Sequence, residues 1–416
     1  MILPSPHDSC PPVSPSEESA PGFRVVHAIH SGGFYGAERV VCDLMAQQAA
    51  GGEARPCLLA LLDPGQTSNA LADRVDAMGL EVMRLPLKPR LGPSGLRAYA
   101  RALRAAGLAP GPGGAQGAEG AQGAEGAREA GLVHSHGYKP TAHHLATRWL
   151  GMHKVPLVVT AHGYSKGSGN WKATLYRALD IRLLGRAQEV VAVSGEMNDY
   201  LSRRNPACRL RTIPNGIRSD VPIRGTRPLL GRLGEGPPIL GSAGRLVPMK
   251  NHALLIRAFA EVRKSIPCRL AILGDGPLRP ELEGLWRELM PGEPVNLLPF
   301  QDDVLEWVAD MDVFSLPSSD GEGLPMALLE AGLLEKAVAC SSSGGIPEVV
   351  RDRETGRLFG MQDLPGLTSA LADLLKSPED RRAYGRALRR EVLDHHDIRR
   401  CHANYLETYA HVLAAA

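Results

Sequence analysis

Two carboxylates eight residues apart, Glu322 and Glu330, stand in the most chemically suggestive segment of the chain, SSDGEGLPMALLEAGLLEKAVACSSSGGIPE at 318–348. A polar, glycine-rich loop runs there into a helix predicted to begin near Pro325, since proline suits a first helical position. The free N–H groups and the dipole at such a helix start favour an anion, so Gly323, Leu324 and Pro325 mark a phosphate-sized site. Along a helix, that spacing corresponds to about 12 Å of rise, the span from the sugar to the ribose of a nucleotide diphosphosugar. One carboxylate is then placed to hold hexose hydroxyls and the other ribose hydroxyls. Taken singly, Glu322 reads more readily as a solvated loop charge and Glu330 as an exposed helix residue. The frame around them carries the chemistry.

A helix start offers that site only if strands deliver the loop to it. From Phe23 onward, short apolar runs alternate with helical stretches: 23–30, 56–62, 132–137, 156–163 and 189–194, then 238–246, 269–276, 295–300, 312–318 and 336–345. Near-continuous runs of this kind suit buried parallel strands. Their alternation with helices predicts an α/β fold of two doubly wound, Rossmann-like domains with a deep cleft between them. Residues 219–237, rich in proline and glycine, read as a linker crossed by few contacts. This puts a first domain at 23–218 and a second at 219–397, with a C-terminal helix within 398–416 packing back on the first. Residues 1–22, rich in proline and serine, read as a disordered tail, and 110–131, with AQGAEG twice in succession, as an expanded surface connection.

Composition narrows the classes. At 416 residues and 44.5 kDa the chain exceeds what one core usually organises. A formal charge of +2 supplies no field that would draw nucleic acid. Seven scattered cysteines without a C-x-x-C pair argue against a disulfide framework or zinc site and fit a reduced cytosol. No apolar stretch approaches the roughly 18 residues of a membrane-spanning helix.

Glu-Gly-Leu-Pro, then Leu-Leu-Glu-Ala, then Gly344, Gly345, Ile346, Pro347 and Glu348 together resemble the motif of two glutamates with seven residues between them in retaining glycosyltransferase family 4, the group 1 glycosyltransferases of the GT-B fold. The resemblance extends along most of the chain. SGGFYGAERV at 31–40 is similar to the family's opening glycine-rich loop, TAHG at 160–163 to its strand-end histidine, IPNGI at 213–217 to its interdomain turn, and GRLVPMKN at 244–251 to its basic clamp. It implies transfer of a hexose-type sugar from a UDP- or GDP-sugar to an acceptor hydroxyl, with retention of anomeric configuration and neither cofactor nor catalytic metal. The donor would sit on the second domain and the acceptor on the first.

Within that frame His162 contacts the transferred sugar, and Gly33 and Gly36 let backbone approach the diphosphate or acceptor. A diphosphate leaving group gathers negative charge as the glycosidic bond breaks, and Arg245 and Lys250, at the carboxyl end of a strand, are the cations placed to meet it. Gly274 follows a strand in Gly274-Asp275-Gly276, which lacks the third glycine of a dinucleotide fingerprint, and is expected beside the nucleotide. The competing readings are a sugar-nucleotide epimerase of the same fold and a catalytically silent nucleotide-sugar-binding protein. Retention of His162, Glu322, Arg245 and Lys250 argues against silence.

Other features carry weaker signals. His134, His136, His143 and His144 suggest metal ligation, but no third ligand type clusters with them in sequence. Asp310-Met-Asp312 matches a D-x-D metal signature of a different fold, yet here it joins helix to strand. The family commonly ends its motif helix with a glycine and, two residues on, a proline; this chain has Glu335 and Ala337, which leaves the turn open. Arg97, Arg101 and Arg104 form a basic stripe beside Leu96, Tyr99, Ala100 and Leu103, either a solvated face or a contact with anionic membrane. Resembling enzymes often use lipid acceptors. The expectation is therefore a cytoplasmic protein, peripheral on the inner membrane face, that glycosylates a lipid-linked acceptor or a polysaccharide or glycolipid precursor.

Overall fold

The computed structural model describes residues 22–87, 91–108, 130–163, 171–319 and 321–416. The first half of the chain runs β1 (Phe23–His30), α1 (Gly36–Gly51), β2 (Ala54–Leu62), α2 (Ala70–Ala77), β3 (Glu81–Pro86), α3 (Pro93–Ala105), β4 (Gly131–His136), α4 (Tyr138–Trp149), β5 (Leu157–Ala161), α5 (Trp171–Leu184), β6 (Glu189–Ala192), α6 (Gly195–Arg204) and β7 (Leu210–Thr212). The second half opens with α7 (Pro228–Leu233), β8 (Ile239–Ala243), a 3-10 turn (Pro248–Lys250), α8 (His252–Val262), β9 (Arg269–Leu273), α9 (Arg279–Leu289), β10 (Leu297–Leu298), α10 (Val304–Ala309) and β11 (Val313–Leu316). It closes with α11 (Met326–Leu333), β12 (Ala337–Ser341), α12 (Ile346–Val349), β13 (Arg357–Phe359), α13 (Leu364–Lys376), α14 (Pro378–His395) and α15 (Ile398–Ala414).

The strands form two parallel sheets, ordered β3-β2-β1-β4-β5-β6-β7 and β10-β9-β8-β11-β12-β13. Both faces of each sheet are covered by helices, which is why the central strands read as unbroken apolar runs. Strand order reverses between β1 and β4 in the first sheet and between β8 and β11 in the second, and loops leaving such a switch point form a crevice. The loops after β8 and β11 carry Arg245, Lys250 and Glu322.

Several elements depart from the sequence reading. The edge strand β3, EVMRLP, is only half-buried, so it lacks the continuous apolar run by which the central strands are found; β7 and β13 have three residues each. Residues 219–237, read as a linker crossed by few contacts, pack against the second domain. The backbone N–H groups of Arg224 and Thr226 donate to the Glu306 carboxylate, and Leu229 is fully buried in the second domain's core. Tail residues 1–21 and insertion residues 110–129 lie outside the described residues. The insertion boundary at 131 runs into β4, because Arg24 N–H already pairs with the Ala130 carbonyl at 2.8 Å.

Where a C-terminal glycine was expected after α11, Glu335 itself takes the left-handed conformation, with φ of 56°. The turn still closes, Lys336 N–H reaching the Ala331 carbonyl at 2.9 Å, and Arg389 holds the Glu335 carboxylate at 3.0 Å. Left-handed backbone costs a non-glycine residue roughly 1–2 kcal/mol.

The last helix, α15, lies on the first sheet, its Cys401, Tyr405 and Tyr409 packed against Val25, Leu132, Val158 and Val191. Beneath it runs an unusual layer of buried imidazoles. His27 on β1 sits in register with His134 on β4, and His136 follows on the same face. Burial lowers the His27 imidazole to about 4 and holds His134 and His136 well below the ordinary 6.5. The folded protein therefore keeps them neutral at a pH where the unfolded chain binds protons, and protonation favours unfolding below pH 6.5. Each such imidazole costs about 1.4 kcal/mol of stability per pH unit within that window. Urea midpoints measured from pH 6.5 down to about 4 should fall steeply, and His27→Gln should flatten the slope; a midpoint independent of pH over that window would contradict neutral burial.

Candidate active site

A cleft of about 740 Å³ opens between the carboxyl ends of the two sheets and is lined from both domains. Glu322, 6% exposed, lies in the loop between β11 and α11. Its Oε1 accepts from Ser318 Oγ at 2.7 Å and pairs with Lys250 Nζ. The loop is pressed against Gly344, whose φ is +56°; a Cβ there would lie 1.8 Å from the Glu322 carbonyl oxygen, so only glycine fits. Glu330, on α11 and also buried, accepts from Arg39 Nη1 at 2.8 Å, a residue of α1 in the first domain. Because α11 starts at Met326, only the second half of the stretch between the glutamates is helical, and the rise estimated from sequence applies to that half alone.

Arg245 is exposed in the loop after β8, its guanidinium 4.9 Å from the centre of the Tyr35 ring. Tyr35 in turn meets Phe300 edge-on, with centroids 6.4 Å apart. Among the described residues no carboxylate pairs with Arg245, so it is the cation left for a ligand. Gly274, Gly323, Leu324 and Gly36 also line the cleft. Gly33 does not: its neighbour Gly32 takes that place, and a Cβ on Gly33 would strike the Tyr35 ring at 2.5 Å. Gly323 marks where the domains touch main chain to main chain, for a Cβ there would lie 2.2 Å from the His162 carbonyl oxygen.

His162 lines the cleft just past β5. Its Nε2 lies 3.0 Å from His136 Nδ1, its own Nδ1 is without a partner among the described residues, and burial lowers it to about 4, so the ring is neutral at physiological pH. The sequence reading discounts a metal because no third ligand type clusters with His134, His136, His143 and His144. The fold adds a further histidine instead, His27, with a ligating atom from each of the rings of His27, His134 and His136 within 4.8 Å of the others. Yet every ring nitrogen of the three is already engaged: His27 with His136 and Gln48, His136 with His162, and His134 with Thr160 and Tyr409. A metal would have to break those bonds. His143 and His144 bond the carbonyls of Lys139 and Val155 instead. The D-x-D pair is structural: Asp310 caps the N–H groups of Leu229 and Leu230, at 2.9 and 3.1 Å, and Asp312 accepts from Ile239 N–H at 2.8 Å.

Four residues that bridge the domains were not singled out from sequence: Tyr35, Arg39, Asn215 and Glu348. Asn215 Nδ2 donates to the Leu324 carbonyl at 2.8 Å. Both Glu348 oxygens accept from the backbone N–H groups of Gly195 and Glu196, at 3.0 and 3.1 Å, at the start of α6. All four fall inside quoted motif segments, but nothing in spacing says that Arg39 meets a glutamate on the other domain.

The chain matches the family model for a glycosyl transferase 4-like domain over residues 35–216 and that for glycosyl transferases group 1 over 231–391. It is 31% identical over 254 residues to the GDP-mannose-dependent alpha-(1-6)-phosphatidylinositol monomannoside mannosyltransferase of Mycolicibacterium smegmatis, covering 57% of this chain and 65% of that protein. It is 27% identical over 290 residues to the N-acetyl-alpha-D-glucosaminyl L-malate synthase of Bacillus anthracis, covering 68% and 75%. Against the first curated relatives the chain spans less than two thirds of their length, 65%, 39% and 64%. In fold it is similar to Anabaena HepE in complex with UDP and glucose, with a TM-score of 0.76 at 18% identity over 93% of this chain and 99% of that one. The sucrose-phosphate synthase of Thermosynechococcus elongatus gives 0.73 at 20% identity over 95% and 100%. The two matched models occupy the two domains whose loops build the cleft, and the chain belongs to the group 1, family 4-type glycosyltransferases of the GT-B fold.

Proposed function

We propose that the protein is a retaining hexosyltransferase that takes a sugar from a UDP- or GDP-sugar and passes it to an acceptor hydroxyl, without a divalent cation. The observation that carries this reading is the convergence of Glu322, Glu330, Lys250 and Arg245 on one cleft, with both glutamates neutralised by a cation and Arg245 without a carboxylate partner among the described residues. Names of similar proteins support the donor class, one being GDP-mannose-dependent and another seen with UDP and glucose. In this reading Glu330 takes the ribose hydroxyls, displacing Arg39, and Glu322 the sugar hydroxyls. Arg245 and Lys250 receive the charge of the departing diphosphate in a site already oriented for it. The first domain's face of the cleft, from Tyr35 to His162, takes the acceptor.

We further place the protein in the cytoplasm, peripheral to anionic membrane and acting on a lipid-linked acceptor or a glycan precursor. Two relatives are named for lipid-borne substrates. Among the described residues no helix is long and apolar enough to cross a membrane. On α3, Arg97 and Arg101 are exposed and Arg104 half-buried, but Tyr99, Ala100 and Leu103 face the core, which corrects the apolar edge read from sequence. Attachment through α3 is therefore electrostatic, aided by the neighbouring end of α4, where Trp149 is 86% exposed.

A melting panel of UDP-, GDP-, ADP- and dTDP-sugars tests the donor, a ligand at 100 times its Kd adding roughly 2.7 kcal/mol. With the base so identified, Arg245→Ala should weaken nucleoside diphosphate binding by about 1.5–3 kcal/mol in calorimetry; unchanged affinity removes Arg245 from the clamp. Donor incubated alone should stay unconverted, since turnover without acceptor would indicate an epimerase. In steady-state kinetics Glu330→Gln should chiefly raise the donor KM and Glu322→Gln chiefly lower kcat, and identical profiles would contradict the division of labour. Co-sedimentation with anionic liposomes should be lost at high salt and in the triple variant Arg97→Glu, Arg101→Glu, Arg104→Glu. Equal pelleting of both proteins, or of neither, favours a soluble acceptor.

A further inference from the structure

We propose that Gln48, on α1, fixes the tautomer of His162 through two intervening buried histidines, so that His162 carries its proton on Nε2 and keeps an unprotonated Nδ1. The chain of contacts is continuous. Gln48 Oε1 lies 2.8 Å from His27 Nε2, His27 Nδ1 lies 3.1 Å from His136 Nε2, and His136 Nδ1 lies 3.0 Å from His162 Nε2. An amide oxygen only accepts, so His27 must donate from Nε2 and accept at Nδ1. His136 then donates from Nε2 and accepts at Nδ1, and His162 in turn donates from Nε2. Gln48, His27 and His136 are buried, and each imidazole holds one proton, so no second proton is present to blur the direction.

The direction depends on which way the Gln48 amide faces, and the open end of the chain at His162 decides that. Gln48 Nε2 lies 3.3 Å from the Tyr409 hydroxyl, which lies 2.8 Å from His134 Nδ1, while His134 Nε2 lies 2.7 Å from Thr160 Oγ1. Tyr409 can accept from the amide N–H and donate to His134 Nδ1, and His134 can donate to Thr160, so every group finds a complementary partner. Reversing the amide would reverse the first chain and leave a buried N–H on His162 Nδ1 with nothing to donate to among the described residues. Orphaned buried N–H groups are rare in folded proteins.

The consequence lies beside the cleft that His162 lines: its Nδ1, buried and without a partner among the described residues, can accept a hydrogen bond but not donate one; any use of that acceptor by a hydroxyl-bearing ligand rests on the proposed sugar-transfer reading, whereas the tautomer does not. Gln48 and His27 touch no ligand and act as positioning residues. The test is a nitrogen–proton correlation spectrum of the ligand-free protein carrying isotopically labelled histidine, with His162 assigned by its loss in His162→Gln. In the native protein His162 Nδ1 should show the unprotonated, pyridine-type shift and Nε2 the protonated one. Gln48→Met, of similar volume but without an acceptor or donor at that point, should move both signals toward the average of two tautomers while the histidines of the second domain keep theirs. Should that variant not fold, Tyr409→Phe, which leaves the Gln48 N–H group without its acceptor, should move the same two signals. A protonated Nδ1 in the native protein, or His162 signals unmoved in the folded variant, would overturn the proposal. Because no substrate is present, failure of the sugar-transfer assays and failure of this test are separate results.

Discussion

A buried carboxylate is tolerable only beside a cation and hydrogen-bond donors, and the geometry of this protein is organised around that constraint at Glu322. One of its oxygens is shared by Lys250 and Ser318. Lys250 arrives from the loop after β8, Ser318 from the loop after β11, and these strands are neighbours because the sheet order reverses there. Gly344 completes the arrangement from β12 by leaving room for the backbone that carries Glu322. Removing Lys250 would leave the Glu322 charge out of water without its cation, so this end of the cleft is tied to the topology of the second sheet.

The two domains meet through contacts of a different character. Arg39 reaches Glu330, Glu348 caps α6, Asn215 holds the Leu324 carbonyl, and Gly323 lets the His162 backbone come close. These polar contacts at the ends of elements flank an apolar cluster in which Val40 and Val193 of the first domain join Leu324, Met326 and Ile346 of the second. Arg39 and Lys250 occupy the carboxylates that a sugar nucleotide would need in the proposed reading. Donor binding would then exchange interdomain and local ion pairs for contacts with ligand.

The histidine layer shows how the first domain solves the opposite problem, polar groups in an apolar interior. Three imidazoles on β1 and β4, an amide on α1 and two tyrosines on α15 satisfy one another almost completely, so the layer costs little while neutral and much when protonated. The loose end is His162 Nδ1, at the cleft. The position of α15 matters here: the C-terminal helix returns to the first sheet and brings Tyr405 to Thr160 and Tyr409 to His134, each more than 240 residues earlier in the chain.

Much of the fold could be read directly, because strands buried on both faces must be apolar throughout and helices between parallel strands must follow them in order. Glu322, Glu330, Arg245, Lys250 and His162 were legible for the same local reason, each lying at a strand end or helix start whose motif spans a few residues. What the sequence could not display were relations between distant segments: Arg39 opposite Glu330, Glu348 on α6, and Tyr35 over Arg245. Gly33, read as letting backbone approach a ligand, does not line the cleft, whereas its neighbour Gly32 does. His27 was invisible as a partner of His134 and His136, since only the parallel register of β1 beside β4 puts it there. Sequence by itself determined the elements and the chemistry available at their ends, because both depend on neighbours a few bonds away; the tertiary structure alone decided which of those ends meet, because register, topology and burial are properties of the packed chain.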